Sequence, residues 1–298
     1  MNHRTTLIAF CTALLIIACS GQPTPIIAEG AELQLVAADY SFTEGPAADR
    51  DGDVYFTDQP NNRILKWDHT TGKVAVYMEP AGRANGLYVA RNGELLACAD
   101  EKFQLWSISP DKEVTVLVND FEGKKLNGPN DLWQDPKGGI YFTDPYYQRP
   151  YWDRKEPEIK QQRVYYLTPD RSELRVVADN LVQPNGIIGS PDGGTLYVAD
   201  IGDSKTYAYG VALDGNLKER ILVADMGSDG MTLDSQGNLY LTGKGVTVYD
   251  RNGNKIEHIP VPQDWTANVT FGGPEQKTLF ITAMNSVYTL EMNVHGVR

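Results

Sequence analysis

Thiols and imidazoles are scarce in this chain, which has three cysteines and four histidines among 298 residues. Cys11 and Cys19 fall in the first 19 residues, so Cys98 stands alone in the body and no internal disulfide can staple the fold. Cys98 sits in an apolar strand and reads as core. His3, His69, His258 and His295 share no ligand spacing, and His-Glu-x-x-His, Gly-x-Ser-x-Gly and a phosphate-binding glycine loop are all missing. No covalent nucleophile is offered. Positive charge is also short, 27 Lys and Arg against 39 Asp and Glu, a net −12. Such an acidic surface argues against nucleic acid and anionic lipid as partners, yet leaves a small neutral substrate open. Helical periodicity is absent beyond a turn or two. The one long apolar run, Leu7 to Ala18, is shorter than the roughly 20 residues that span a bilayer.

That run follows His3 and Arg4 and precedes Ile16-Ile17-Ala18-Cys19, which reads as an export signal ending in a bacterial lipobox. Residues 1–19 are expected to be a lipoprotein signal, with Cys19 lipidated as the new N-terminus; ordinary cleavage nearby is the alternative. Ser20 fits outer-membrane sorting in Gram-negative bacteria, giving a periplasmic or outer-membrane protein. Residues 20–31, with prolines and small residues, read as a flexible tether, and 32–298 as one catalytic domain.

The body is repetitive. Tyr55 in DVYFTD, Leu96 in ELLACAD, Tyr141 in GIYFTD, Tyr197 in TLYVAD, Tyr240 in NLYLTG and Phe280 in TLFITA centre six similar strands, 41, 45, 56, 43 and 40 residues apart. Spacing of about 40–50 residues marks four-stranded propeller blades, so the fold class is all-β, a six-bladed β-propeller. A closed blade array leaves no open sheet edge that requires a partner, and a monomer is expected. The spacing of 56 implies an insertion, Asp144 to Arg163, rich in tyrosine, tryptophan and charge. It reads either as a lid that stacks Tyr146, Tyr147, Tyr151 or Trp152 on a sugar, or as a surface loop packed on its own aromatics. Arg83, near Asn85, is a further candidate for substrate contact.

A second regularity lies 11 or 12 residues before each strand centre, where Glu44, Asn85, Asn130, Asn185, Asp229 and Asn268 stand. Innermost strands line a propeller's channel, so six oxygen-bearing side chains would converge on one mouth. Asn-Gly and Asp-Gly pairs also favour turns, and a bend at each blade could explain Asn85-Gly86, Asn185-Gly186 and Asp229-Gly230. Glu44 is a poor turn residue, however, and two carboxylates in one channel repel unless a cation lies between them. Hard oxygen donors at flexible spacing suit Ca2+, with Mg2+ behind it.

TEGP at Thr43–Pro46, LNGPNDLWQDPKGGIYFTDPYY at Leu126–Tyr147, LVQPNGIIGSPDGGTLYVAD at Leu181–Asp200 and GSDGMTLDSQGNLYLTGKGVTVYD at Gly227–Asp250 resemble the gluconolactonase branch of the regucalcin, gluconolactonase and luciferin-regenerating enzyme family. The resemblance runs from Glu44 to Gly296. It implies a divalent-cation-dependent lactone hydrolase, with metal ligands at Glu44, Asn185 and Asp229 and Asp229 as general acid/base. Asn130 matches a channel asparagine that contacts metal or substrate. Mg2+, Mn2+ or Zn2+ could replace Ca2+ in such a set. Two departures concern the substrate: Gly128 stands where regucalcin-type members have an arginine, and Cys98-Ala99-Asp100-Glu101 replaces a Glu-His pair. The expected reaction opens an aldonolactone such as gluconolactone. Other expectations for the same site are a cation-dependent esterase or phosphotriesterase, a non-catalytic binding propeller, or a strictosidine synthase-like propeller, the last weakened by the cation set.

Overall fold

The computed structural model describes residues 25–297. The expected signal, the lipidation at Cys19 and the start of the tether lie outside the described residues. The chain forms six antiparallel four-stranded sheets, the expected six-bladed propeller. Blade 1 comprises Thr43–Ala48, Val54–Asp58, Arg63–Asp68 and Lys73–Met78, from the channel outward. Blades 2 to 5 repeat it in chain order, with innermost strands Ala84–Val89, Leu132–Gln134, Pro184–Gly189 and Met231–Leu233. Blade 6 uses both ends of the chain. Asn268–Gly272, Thr278–Ala283 and Ser286–Glu291 supply three strands, and Gln34–Ala37 pairs with the last of them to close the ring.

Alternation along each strand explains the packing. Val54 and Phe56 project from one face of blade 1 and are fully buried against blade 6, where Phe280 lies 5.6 Å from Phe56 and 5.3 Å from Trp67 between ring centroids. Ala47 and Ile64, on the opposite face, pack against Leu87, Ala97 and Ile108 of blade 2. The same two-sided burial recurs round the ring, so the core is a set of apolar layers between blades rather than one central mass. Cys98 is fully buried in the layer between blades 2 and 3. Outer strands such as Val114–Val118 are largely exposed.

The tether expectation is corrected from Pro25 onward. Ile26 is buried in the layer between blades 5 and 6, Ile27 bridges to Met292, and Asn293 Nδ2 donates to the carbonyls of Pro25 and Ile27. Two isoleucines in a row give this segment apolar surface to bury, which composition alone did not weigh.

The Glu-Gly and Asn-Gly pairs are not turns. They lie within innermost strands, where pairing with the next strand slips between Glu44 and Ala47, Ala84 and Leu87, and Pro184 and Ile187. Bulges of this kind re-aim a side chain, here toward the channel. Blades also crowd at their inner ends. A Cβ on Gly45 would lie 2.1 Å from the Asn85 carbonyl oxygen, and one on Gly86 would lie 2.5 Å from that of Asn130. Gly86 N–H donates to the Asn130 carbonyl at 2.7 Å, and Thr57 Oγ1 donates to the Asn85 carbonyl at 3.1 Å. Gly45 also has φ +51, in the left-handed region. Gly45→Ala is therefore expected to cost about 3 kcal/mol or more, read as a fall in the urea midpoint, because backbone and not a flexible side chain blocks the methyl.

Candidate active site

The six polar residues of the register lie in or just before the innermost strands, and two pairs of them meet by side-chain hydrogen bonds, Asn185 with Asp229 and Asn268 with Glu44. Glu44, Asn85, Asn130, Asn185 and Asn268 are all buried. Blade 4 delivers Asn185 and the segment before Met231 in blade 5 delivers Asp229. Asn185 Nδ2 donates to Asp229 Oδ1 at 2.8 Å and to the Tyr147 hydroxyl oxygen at 2.9 Å. Trp265 Nε1 donates to Asp229 Oδ2 at 2.6 Å. Across the closing seam, Asn268 Nδ2 of blade 6 donates to Glu44 Oε2 of blade 1 at 3.1 Å.

Burial pushes the Asp229 carboxyl up to about 6, while Trp265 and Asn185, by hydrogen bonding, and Arg149, by its charge, pull in the opposite direction. Burial raises Glu44 well above the usual carboxylate range, and the nearby charges of Asp229 and Asp131 raise it further. Asp131, next to Asn130, is pushed up to about 7, again by burial first. Three carboxylates thus share a water-poor channel and repel one another.

The donor set fits a divalent cation in three respects. Asn185 Oδ1 is buried and has no hydrogen-bond partner, because the amide spends its N–H groups on Asp229 and Tyr147. Asn127 Oδ1 and the hydroxyls of Tyr165, Tyr209 and Thr266 are likewise without a partner, but Asn185 Oδ1 is the one on a side chain hydrogen-bonded to Asp229. Glu44 and Asp229 are linked by repulsion, which a cation would relieve. The side chains that would serve, Glu44, Asp229 and Asn185, offer only carboxylate and amide oxygens, the hard donors that suit such an ion.

Other sequence candidates fall differently. Asn130 joins the ring, with its N–H donating to the Thr143 carbonyl. Trp152 is corrected: it is 3% exposed and packed within the insertion, 4.8 Å from Phe103 and 5.8 Å from Tyr146 between centroids, so its face is not available to a sugar. Tyr146 packs on the same indole and donates its hydroxyl to Gln148. Arg154 clamps this stack, with Cζ 3.8 Å from the Phe103 centroid and Nη1 donating to the Leu126 carbonyl. Arg83 pairs with Glu101 at 3.4 Å and lies over the Tyr151 ring at 4.4 Å, on the rim. The insertion residue that reaches the ligand set is Tyr147.

Asp100 was hidden by its likeness to Asp58, Asp144 and Asp200. Those three end the second strands of their blades and accept paired backbone N–H groups from the segment entering the same blade, as Asp144 does from Asn127 and Gly128 at 2.9 and 2.8 Å. In blade 2 that work is done by Asn62 Oδ1, which accepts from Ala81 and Arg83 N–H at 3.0 and 2.7 Å. Asp100 is freed. Its Oδ2 accepts from the Tyr151 hydroxyl and from Gln59 Nε2 at 3.2 Å, and lies 3.3 Å from Arg149 Nε.

Below the polar ring the channel opens into a cavity of about 440 Å³, walled by residues such as Leu87, Leu132, Ile187 and Phe271, with Asp131 and Asn268 at its inner end.

Fold and site together define a six-bladed propeller with an oxygen-donor centre at one mouth of its channel. The chain belongs to the SMP-30/gluconolactonase/LRE-like family, whose profile matches residues 42–285. It is 29% identical over 295 residues to a gluconolactonase of Zymomonas mobilis, covering 89% of this chain and 82% of that one. A solved gluconolactonase of Xanthomonas campestris superposes with a TM-score of 0.83 at 32% identity, over 90% of this chain and 94% of the other. The diisopropyl-fluorophosphatase of Loligo vulgaris is 26% identical over 292 residues, 88% of this chain and 92% of that protein.

Proposed function

We propose that this chain is a divalent-cation-dependent lactonase that opens an aldonolactone such as gluconolactone to the aldonic acid, with Asp229 as general acid/base. The observation that carries the reading is the pairing of Asp229, held at both oxygens, with an Asn185 Oδ1 that has no protein partner. Glu44, Asn185 and Asp229 would hold the cation, Ca2+ foremost, with Asn130 beside them. When bound, the cation supplies Lewis-acid polarisation of the lactone carbonyl and positive charge for the oxyanion.

The chain's own residues account for the proton. Burial raises Asp229 to about 6 in the cation-free site, and a bound cation would lower it, so the carboxylate that accepts a proton is the form present at neutral pH. Asp229 takes a proton from the attacking water as the new C–O bond forms, then returns it to the ring oxygen as the old C–O bond breaks. Trp265 and Asn185 fix the carboxylate for both transfers. Tyr147 closes the side of the site beneath the insertion, which acts as its lid. We read the protein as a monomer exported to the periplasm or outer membrane and tethered through Cys19.

Chelation is the direct test. EDTA treatment of protein lacking residues 1–19 is expected to abolish hydrolysis of aldonolactones followed with a pH indicator, and Ca2+ to restore it. Binding should also stabilise the fold by about 2.7 kcal/mol at a hundredfold excess over Kd, read as a rise in Tm. Undiminished hydrolysis after chelation sinks the cation; a cation-dependent protein inert on every lactone but active on phosphotriesters would move the reading toward the fluorophosphatase-like alternative.

A further inference from the structure

Arg149, in the insertion, is a cation whose charge reaches Asp229. Its Cζ lies 5.4 Å from the centroid of Tyr147, the ring whose hydroxyl meets Asn185. Its Nε is buried, 3.3 Å from Asp100 Oδ2 but without a hydrogen bond, and its Nη groups donate to no protein atom among the described residues. Arg154, five residues on, contrasts with it, since both its Nη groups are spent on carbonyls of Leu126 and Asn127. The Arg149 side chain is 24% exposed, so Asp100 fixes its Nε side while its Nη groups stay open to solvent and to the oxygens of a ligand.

Its surroundings are built. Asp100 is held from three sides by Tyr151, Gln59 and Arg149, and it lies so close to Gly128 that a Cβ there would stand 2.9 Å from Asp100 Oδ1 and 3.0 Å from Trp152 Cη2. Position 128, two residues from Asn130, therefore has no room for a side chain. A cation can come to this side of the channel mouth from the insertion.

We infer that Arg149, oriented by Asp100 and by the Tyr147 ring, is a specificity-determining residue that binds hydroxyl oxygens of a neutral polyhydroxylated lactone on the side of the ring away from the carbonyl. The inference rests on the lactonase reading. The planar fork of donors matches two neighbouring hydroxyls, and the Asp100 carboxylate balances the charge, so no anionic substituent is required. A lysine could not reproduce the fork.

The test compares δ-gluconolactone with δ-valerolactone, which has the same ring and ester but no hydroxyls, using cation-loaded protein lacking residues 1–19. Arg149→Met is expected to raise KM for gluconolactone about 10- to 100-fold, the range for a lost charge-assisted hydrogen bond, with a smaller fall in kcat. For valerolactone the fall in kcat/KM should be smaller than for gluconolactone and accompanied by a shift of the pH profile, because removing the Arg149 charge also acts on Asp229. Arg149→Lys should fall between wild type and Arg149→Met on gluconolactone, and it keeps the question answerable if the methionine variant misfolds. Equal losses on both lactones, or no loss on gluconolactone, overturn the inference while leaving the lactonase intact. Failure of the wild-type protein on both lactones with every cation overturns the parent reading instead.

Discussion

Asp229→Asn is expected to lower kcat for lactone opening by about 10³-fold while the propeller stays folded. The carboxylate accepts from two donors, Asn185 Nδ2 and Trp265 Nε1. An amide in its place can accept from only one of them, so a stability loss of about 1–2 kcal/mol should accompany the kinetic one. The amide oxygen can still face a cation, and the Ca2+-induced rise in Tm should shrink without vanishing. Glu44→Gln should behave in the opposite order, losing the Ca2+ response first, since it removes a buried charge and not the proton carrier. A kcat within threefold of wild type for Asp229→Asn, with the fold verified by circular dichroism, would falsify the acid/base assignment and leave cation and substrate binding untouched.

The polar register was legible because a repeat makes its own alignment. Glu44 and Asp229 stand out as the two carboxylates in a register of six whose other members are asparagines, and it is the family resemblance that singles out Asn185 among the four. What the repeat could not carry lies in segments without a period. Trp265 and Tyr147 complete the site from a loop and an insertion, where nothing in the spacing says which side chain turns inward. Tyr146, Tyr147 and Trp152 are equivalent as composition, yet only Tyr147 reaches Asn185. Asp100 failed for the reverse reason: it matches Asp58, Asp144 and Asp200 in sequence, and a single asparagine some 40 residues earlier, Asn62, takes over its backbone role. The glycines in the register answer a demand for space: a Cβ on Gly86 would stand 2.5 Å from the Asn130 carbonyl oxygen, and one on Gly230 would stand 1.9 Å from Cγ of the Asn268 side chain.

Deleting residues 25–38 from the chain already lacking its leader should open the ring, and the consequence should reach the active site. The strand Gln34–Ala37 pairs with Ser286–Glu291, and without it the last blade presents an unpaired edge. Blade 6 also holds Glu44 through Asn268, and Thr43 Oγ1 through the Ser286 carbonyl at 2.9 Å, so the seam that the strand closes is one that positions a proposed cation ligand. The deletion is expected to lower Tm by more than about 10 °C, beyond the few degrees that a 1 kcal/mol loss produces in a domain of this size. The Ca2+ response should weaken in parallel. A shorter deletion of residues 25–30 removes Ile26 and Ile27 but keeps the strand, and should cost about 2–4 kcal/mol from lost apolar burial with Ca2+ affinity preserved. If both truncations bound Ca2+ as the longer chain does, ring closure and site geometry would be independent, and Asn268 would hold Glu44 without help from the N-terminal strand.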